Sequence, residues 1–270
     1  DSDFEMGDND PLSSIENEDE FQWGLSLESM LGNSDIMLTY FNGYDFSPSY
    51  SGRKFISAEV GDPNLGIVDI RYTNPIFEYR KTQVFGLSTV SFWSDLSFRT
   101  ELAYFDTKTA LEFDGDCCPA DYKAQYIQYV LQLEYLALTD ITLSSQLIGN
   151  KTLSIEGKNY DNDLGYIDAD SNNFNMGLGT PFSAFSENAL LISTQKKYMD
   201  GTFDVSLMGM IDLAQTGFML GGNIEYSPID NWKIELGNSK FIGDGNNDSH
   251  NIFNKLEDFS NTEIAVKYSF

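Results

Sequence analysis

The sequence contains no long apolar run. Stretches such as Ala189 to Ile192 are only a few residues long, far short of the ~18–20 that a membrane-spanning helix requires. Convincing helical periodicity is almost as scarce, so the chain does not encode a helical membrane protein. Basic residues are few: 16 Lys and Arg stand against 42 Asp and Glu, a formal charge of -26. A phosphate backbone would be repelled at long range, which argues against nucleic acid as a partner. No glycine-rich loop follows a strand and opens a helix, so a phosphate-binding loop is missing too. The chain begins at Asp1 with neither Met nor a charged-then-apolar export segment, which implies that a signal has been removed or that the chain is incomplete.

What is present is a period of two. Alternating segments of strand length recur at 20–31, 34–45, 76–92, 97–110, 124–138, 141–157, 187–199, 202–215, 217–228, 231–242 and 261–270, with a hairpin extension expected within 53–74. In QYIQYVLQLEYL, the residues Ile127, Tyr129, Leu131, Leu133 and Tyr135 share a face, opposite Gln128, Val130, Gln132 and Glu134. Phe203, Val205, Leu207 and Ile211 likewise oppose Asp204, Ser206, Met208 and Asp212. Such alternation describes strands with one face compatible with lipid and one that is wet.

The connections alternate as well. Gly32-Asn33, Ser94-Asp95, Thr139-Asp140, Asp200-Gly201 and Pro228 to Asn231 read as tight turns, built from the residue types that turns favour. Longer polar loops, 46–65, 111–123, 158–186 and 243–260, fall between them, with Ala214 to Gly217 as a short exception. Aromatics gather beside the short turns: Phe92, Trp93, Tyr135, Tyr198, Tyr226, Trp232, Tyr268 and Phe270. Amphipathic rings favour a boundary between hydrocarbon and water, so they read as one interfacial girdle, with Tyr40, Tyr104 and Phe218 in the opposite one. The expected fold is all-β: an antiparallel up-and-down transmembrane β-barrel of about 11–12 strands over 20–270, with 1–19 as an acidic surface segment.

The terminal strand, SNTEIAVKYSF, carries a resemblance. Its Ile264, Val266, Tyr268 and Phe270 resemble the closing strand of Gram-negative outer-membrane β-barrels, which ends in Phe with an aromatic two residues earlier. In that family the strand is read by the barrel-assembly machinery. The resemblance therefore implies an assembly signal, a periplasmic C-terminus and contact with outer-membrane lipid and lipopolysaccharide. FGLSTVSFWSDLSFRTELAYF is similar, more loosely, to strands of porin-type and alginate-export-type channels. Eleven strands counted back from a periplasmic C-terminus leave 1–19 outside the cell, whereas bacterial single-chain barrels usually have an even strand number. The expectation is therefore the C-terminal part of a larger barrel.

The inward set expected from the alternation is Gln22, Glu28, Arg99, Glu101, Gln132, Glu134, Gln146, Asp204, Asp212, Glu225, Lys233, Glu235, Glu263 and Lys267. Acids outnumber bases in it, so an open lumen would favour cations or neutral solutes. A porin-like channel is the leading expectation. A plugged barrel that anchors a partner assembly, or pairs its acids with Arg99, Lys233 and Lys267, is the alternative, and a soluble secreted glycan-binding β-sandwich is a third class. An enzyme is not expected, because His250 has only its sequence neighbours Asp248 and Ser249 for company, and adjacent residues rarely converge on one reacting atom. Asp168, Asp170 and Asn172, and again Asp244, Asn246 and Asp248, begin like calcium loops but lack the later glycine and glutamate, so at most loosely bound calcium is expected. Adjacent Cys117 and Cys118 leave a strained vicinal disulfide, a bond to another chain, or free thiols open.

Overall fold

The computed structural model describes residues 21–45, 49–62, 66–109, 117–119, 121–137, 140–161, 165–168, 174, 176, 187–245 and 251–269. Eleven strands form one antiparallel up-and-down sheet: β1 (Trp23–Leu31), β2 (Ser34–Tyr44), β5 (Lys81–Trp93), β6 (Leu96–Lys108), β8 (Asp121–Ala137), β9 (Ile141–Asp161), β11 (Asn188–Tyr198), β12 (Phe203–Asp212), β13 (Gly217–Tyr226), β14 (Trp232–Ile242) and β15 (Asn261–Tyr268). Between β2 and β5 the chain forms a hairpin, β3 (Ser49–Asp62) and β4 (Gly66–Glu78), joined by β7 (Cys117–Pro119) into a second, three-stranded sheet. A short β10 (Gly165–Asp168) pairs with the far end of β9. The only α-helix among the described residues, α1 (Ile252–Leu256), lies between β14 and β15.

Several expected boundaries move. The hairpin extension is longer than 53–74, and the expected strand 76–92 is two strands, because β4 pairs with β3 up to Glu78 and β5 pairs with β2 from Lys81. Tyr79 and Arg80 make the break, and the Arg80 carbonyl accepts from the Asp45 amide (2.9 Å). The loops expected at 46–65 and 111–123 contribute β3 and β7, and the one at 158–186 opens with the end of β9 and β10. The hairpin is expected within 53–74 and only its reach differs, whereas β7 and β10, of three and four residues, are too short for alternation to register.

Consecutive strands reverse, so the tight turns fall at one end of the sheet, the turn end, with the four-residue β12–β13 connection the one short link at the other end among the described residues. Gly32 (φ 64°), Ser94 (φ 55°) and Asn231 (φ 69°) supply left-handed backbone there, which matches the twist that tight hairpins require. The longer connections lie at the opposite, loop end. The sheet is not closed: β1 and β15 are its edges. Every residue of β1 is exposed, and every residue of β15 except Ala265.

Directly opposed residues of an antiparallel pair point to the same side, so the register sorts the whole sheet into two faces. One face runs Leu27, Leu38, Leu87, Leu102 and Tyr129 across β1, β2, β5, β6 and β8. It continues through Leu131, Leu147, Leu190, Ile211 and Phe218 across β8, β9, β11, β12 and β13. Near its loop end Trp23, Tyr40, Phe85 and Tyr104 form a chain of rings with centroids 5.0, 4.7 and 6.3 Å apart. Near its turn end Phe203 stacks on Tyr226 at 4.4 Å and Trp232 meets Tyr268 at 5.1 Å.

Among the described residues, no acid lies on this apolar face between the two belts, and its lysines stand at the margins. Lys196 sits beside Tyr198 with its ammonium 4.6 Å from the ring centre, so its stem runs along apolar surface while its charge reaches toward the turn end. Phe92 does not belong to the turn-end belt: it pairs with Ser97 and shares the other face.

Candidate functional site: the polar face

The second face gathers the charge. Register places Glu28, Arg99, Glu101, Gln132, Glu134, Gln146, Asp204, Asp212, Glu225, Lys233, Glu235, Glu263 and Lys267 all on it. Gln22 precedes β1 instead, and its Oε1 accepts from the Tyr44 amide at 3.4 Å. The face is mixed and not uniformly wet, since Met37, Val90, Val130, Met208 and Met210 alternate with the polar side chains.

Near the turn end the charges are paired. Lys233 Nζ lies 2.7 Å from Glu225 Oε1, Lys267 Nζ 2.6 Å from Glu235 Oε2, and Gln195 Nε2 donates to Asp204 Oδ2 at 2.7 Å. These are exposed or half-exposed pairs, which contribute little to stability and chiefly hold the side chains in place. Glu28 on the edge strand β1, Arg99 and Glu101 on β6 and Glu134 on β8 are exposed and have no ion-pair partner among the described residues.

Toward the loop end this face is covered by chain from the long connections. Phe253 of α1 is fully buried against Ala189 and Met210, with Met219 and Phe241 beside it. Asn251 caps the helix, its Oδ1 accepting from the Phe253 amide at 2.9 Å while its Nδ2 donates to the Thr216 carbonyl. That pair of bonds ties α1 to the β12–β13 connection. Gly217 makes room for it, because a Cβ there would stand 2.6 Å from the Phe253 ring. Asp212, expected to face a lumen, turns out to organise this corner: it is buried, and its Oδ1 accepts from the amides of Ala214 (2.8 Å) and Gln215 (2.9 Å). A short connection with few residues must satisfy its amides locally, and the neighbouring carboxylate does so.

A second inward contact uses Phe174, which buries against Ala124 and Tyr126. Buried Arg80 lies over the Phe174 ring, 5.0 Å from its centroid. Close by in sequence and register, Thr82 donates to Asp45 Oδ1 (2.6 Å) and shares a hydrogen bond with Thr107 (2.9 Å). Burial raises the Asp45 pKa, and the Thr82 hydrogen bond and the Arg80 charge pull it back only in part. Since the folded pKa is raised, the folded state binds a proton more tightly, and this group opposes folding once pH exceeds both its unfolded and folded values. Acidification through that window should therefore stabilise the β2–β5 junction. In Asp45→Asn the gain should vanish, measured as the pH dependence of hydrogen exchange at residues 79–83.

The other expected sites fare differently. Ile264, Val266 and Tyr268 lie exposed on the apolar face, opposed to Leu236, Ile234 and Trp232; Phe270 lies outside the described residues. Asp244 Oδ1 accepts from Asn254 Nδ2 at 2.7 Å, an internal tie of the β14–β15 connection. Asp168 ends β10, while Asp170, Asn172, Asn246, Asp248, Ser249 and His250 lie outside the described residues. Among the described residues no three His, Cys, Asp or Glu side chains converge as a metal site would require. Cys117 and Cys118 are strand residues paired with Lys54 and Arg53; their side chains lie outside the described set. Phe253, Phe174 and Asn251 lie in the expected loops and escape a search for alternation, and Asp45 closes the expected strand 34–45 without any signal of its burial. Only the cap signal, Asn251 before Ile252-Phe253, is legible in advance.

The sequence was compared with protein-family models and with curated proteins, and it matches none of them.

Proposed function

We propose that this chain is the wall of an outer-membrane β-barrel that passes small solutes, with cations and neutral molecules preferred over anions. The observation that carries the reading is the separation of the two faces across eleven strands: apolar residues between two aromatic belts on one side, charge on the other. Phe85 and Trp93 of β5 mark the belts, and eight residues at ~3.4 Å with a tilt of ~40° span about 20 Å, comparable to the ~25 Å apolar band of such barrels. A protein that buried this face in water would need a second sheet or helices to cover it, yet Leu27, Leu102, Leu133, Leu220 and Ile264 are all exposed. Ile264, Val266 and Tyr268 on that face fit a strand handled by barrel-assembly machinery and finally surrounded by lipid and lipopolysaccharide.

Eleven alternating strands leave β1 and β15 running in the same direction. A lumen thus requires either their direct parallel pairing or an odd number of further strands between them, and the latter preserves the antiparallel pattern. The polar face would line that lumen. Its acids outnumber its bases, and two of the bases, Lys233 and Lys267, are already paired.

Planar-bilayer reversal potentials under a KCl gradient test the reading. Protein that shows heat-modifiable gel mobility should conduct potassium in preference to chloride; anion preference, or no conductance from inserted protein, would overturn it. The covering of the polar face by Phe253 and Phe174 favours a second reading, a narrowed or plugged barrel, which predicts conductance only after the loop-end contacts are loosened.

A further inference from the structure

A cavity of about 330 Å³ opens on the polar face between β2, β5, β6 and β8. Its floor is made by two rows of paired residues. Thr39, Gly86, Ala103 and Gln128 oppose one another in sequence across the four strands, and Met37, Ser88, Glu101 and Val130 form the row beside them. The middle of the first row is small, Gly86 and Ala103, and the Thr39 hydroxyl leans over Gly86, where a Cβ would stand 2.2 Å from it. The volume is at the lower end of the ~300–1,000 Å³ usual for small-molecule sites.

Gln128 points to a ligand. The residue is 5% exposed, and its Nε2 is buried without a hydrogen-bond partner. A buried donor left unpaired is costly, so the amide gains by turning toward an acceptor that enters the cavity Gln128 lines. Glu101, on the neighbouring row, is exposed and has no ion-pair partner among the described residues, so it asks for a donor. A bare cation supplies no acceptor for the Gln128 amide, and an anion is repelled by Glu101. A hydroxyl supplies acceptor and donor together without charge. Phe105 and Val130 give an apolar wall, against which the C–H face of a ring can lie. We infer that this cavity is a binding subsite for a small neutral polyhydroxylated solute, of the monosaccharide class, held between Gln128 and Glu101. The inference rests on the lumen reading above, which puts the polar face in contact with passing solutes.

The test uses full-length protein in detergent, its folding confirmed by heat-modifiable mobility, and D-glucose as the probe, followed by saturation-transfer NMR. Saturable binding is expected, weakened about tenfold or more in Gln128→Leu, which removes the donor, and in Ala103→Leu, which fills the floor. Glu101→Gln alters an exposed side chain, keeps the question answerable if a packed variant fails to fold, and should weaken glucose severalfold. Absence of saturable binding to the folded wild type would overturn the inference, as would affinities unchanged in the folded variants. Displacement of glucose by tetramethylammonium would overturn the solute class in favour of a cation. Bilayer conductance is recorded separately: glucose binding as expected without conductance would remove the channel reading and leave the subsite standing.

Discussion

Leu131→Arg should abolish or severely weaken folding into lipid vesicles, whereas Gln132→Arg, one residue further on, should fold nearly as well as the wild type. Leu131 stands on the apolar face of β8, between Ile127 toward the loop end and Tyr135 toward the turn end, with Thr100 and Leu147 as its paired neighbours. An arginine at the middle of a lipid-facing band costs about 2–4 kcal/mol, a large part of the ~5–15 kcal/mol that holds a typical fold. Gln132 points to the polar face beside Arg99 and Gln146, where a guanidinium stays hydrated. Urea titration of vesicle-folded protein, scored by heat-modifiable mobility, reads the difference directly. Equal tolerance of both changes would sink the assignment of the faces. A wild type that stays soluble and monodisperse without detergent would place Leu131 inside a sandwich instead.

Phe253→Ala should open the loop end without unfolding the sheet. Removing a fully buried phenylalanine costs about 3–5 kcal/mol in packed interiors. Here the loss falls on one short helix held by Asn251, Gly217 and the cluster around Met210. Local opening is then cheaper than global unfolding, so the amides of 251–260 should lose hydrogen-exchange protection while those of β12 and β13 keep theirs. If α1 narrows a lumen, single-channel conductance should rise with the same substitution. Phe259→Ala is the matched control: Phe259 is 68% exposed, and its loss should change neither quantity. Protection unchanged in Phe253→Ala would show that the wedge does not hold the loop. Protection lost at constant conductance would put α1 beside the solute path instead of across it.

The alternation of QYIQYVLQLEYL already places Leu131 and Gln132 on opposite faces, because a strand has no other way to arrange neighbouring side chains. The tight turns were equally readable, since left-handed backbone admits few residues and Gly32 and Asn231 are among them. Partners were not readable. Nothing in the order of residues says that Glu225 meets Lys233 or that Gln195 meets Asp204, because both depend on register. The expected belt position of Phe92 failed for a related reason: proximity to a turn does not determine side, and the pairing with Ser97 does.

The sequence by itself determined an all-β chain with one apolar and one polar face and with its long connections all at one end, because period and turn chemistry are local. Tertiary structure decided that the polar face is not simply open. Phe253 and Phe174 fold back over its loop end, Asp212 serves a turn, and Gln128 lies buried beside Glu101 over a floor of Gly86 and Ala103. These contacts join residues far apart in the chain, and only the packing of the connections against the sheet brings them together.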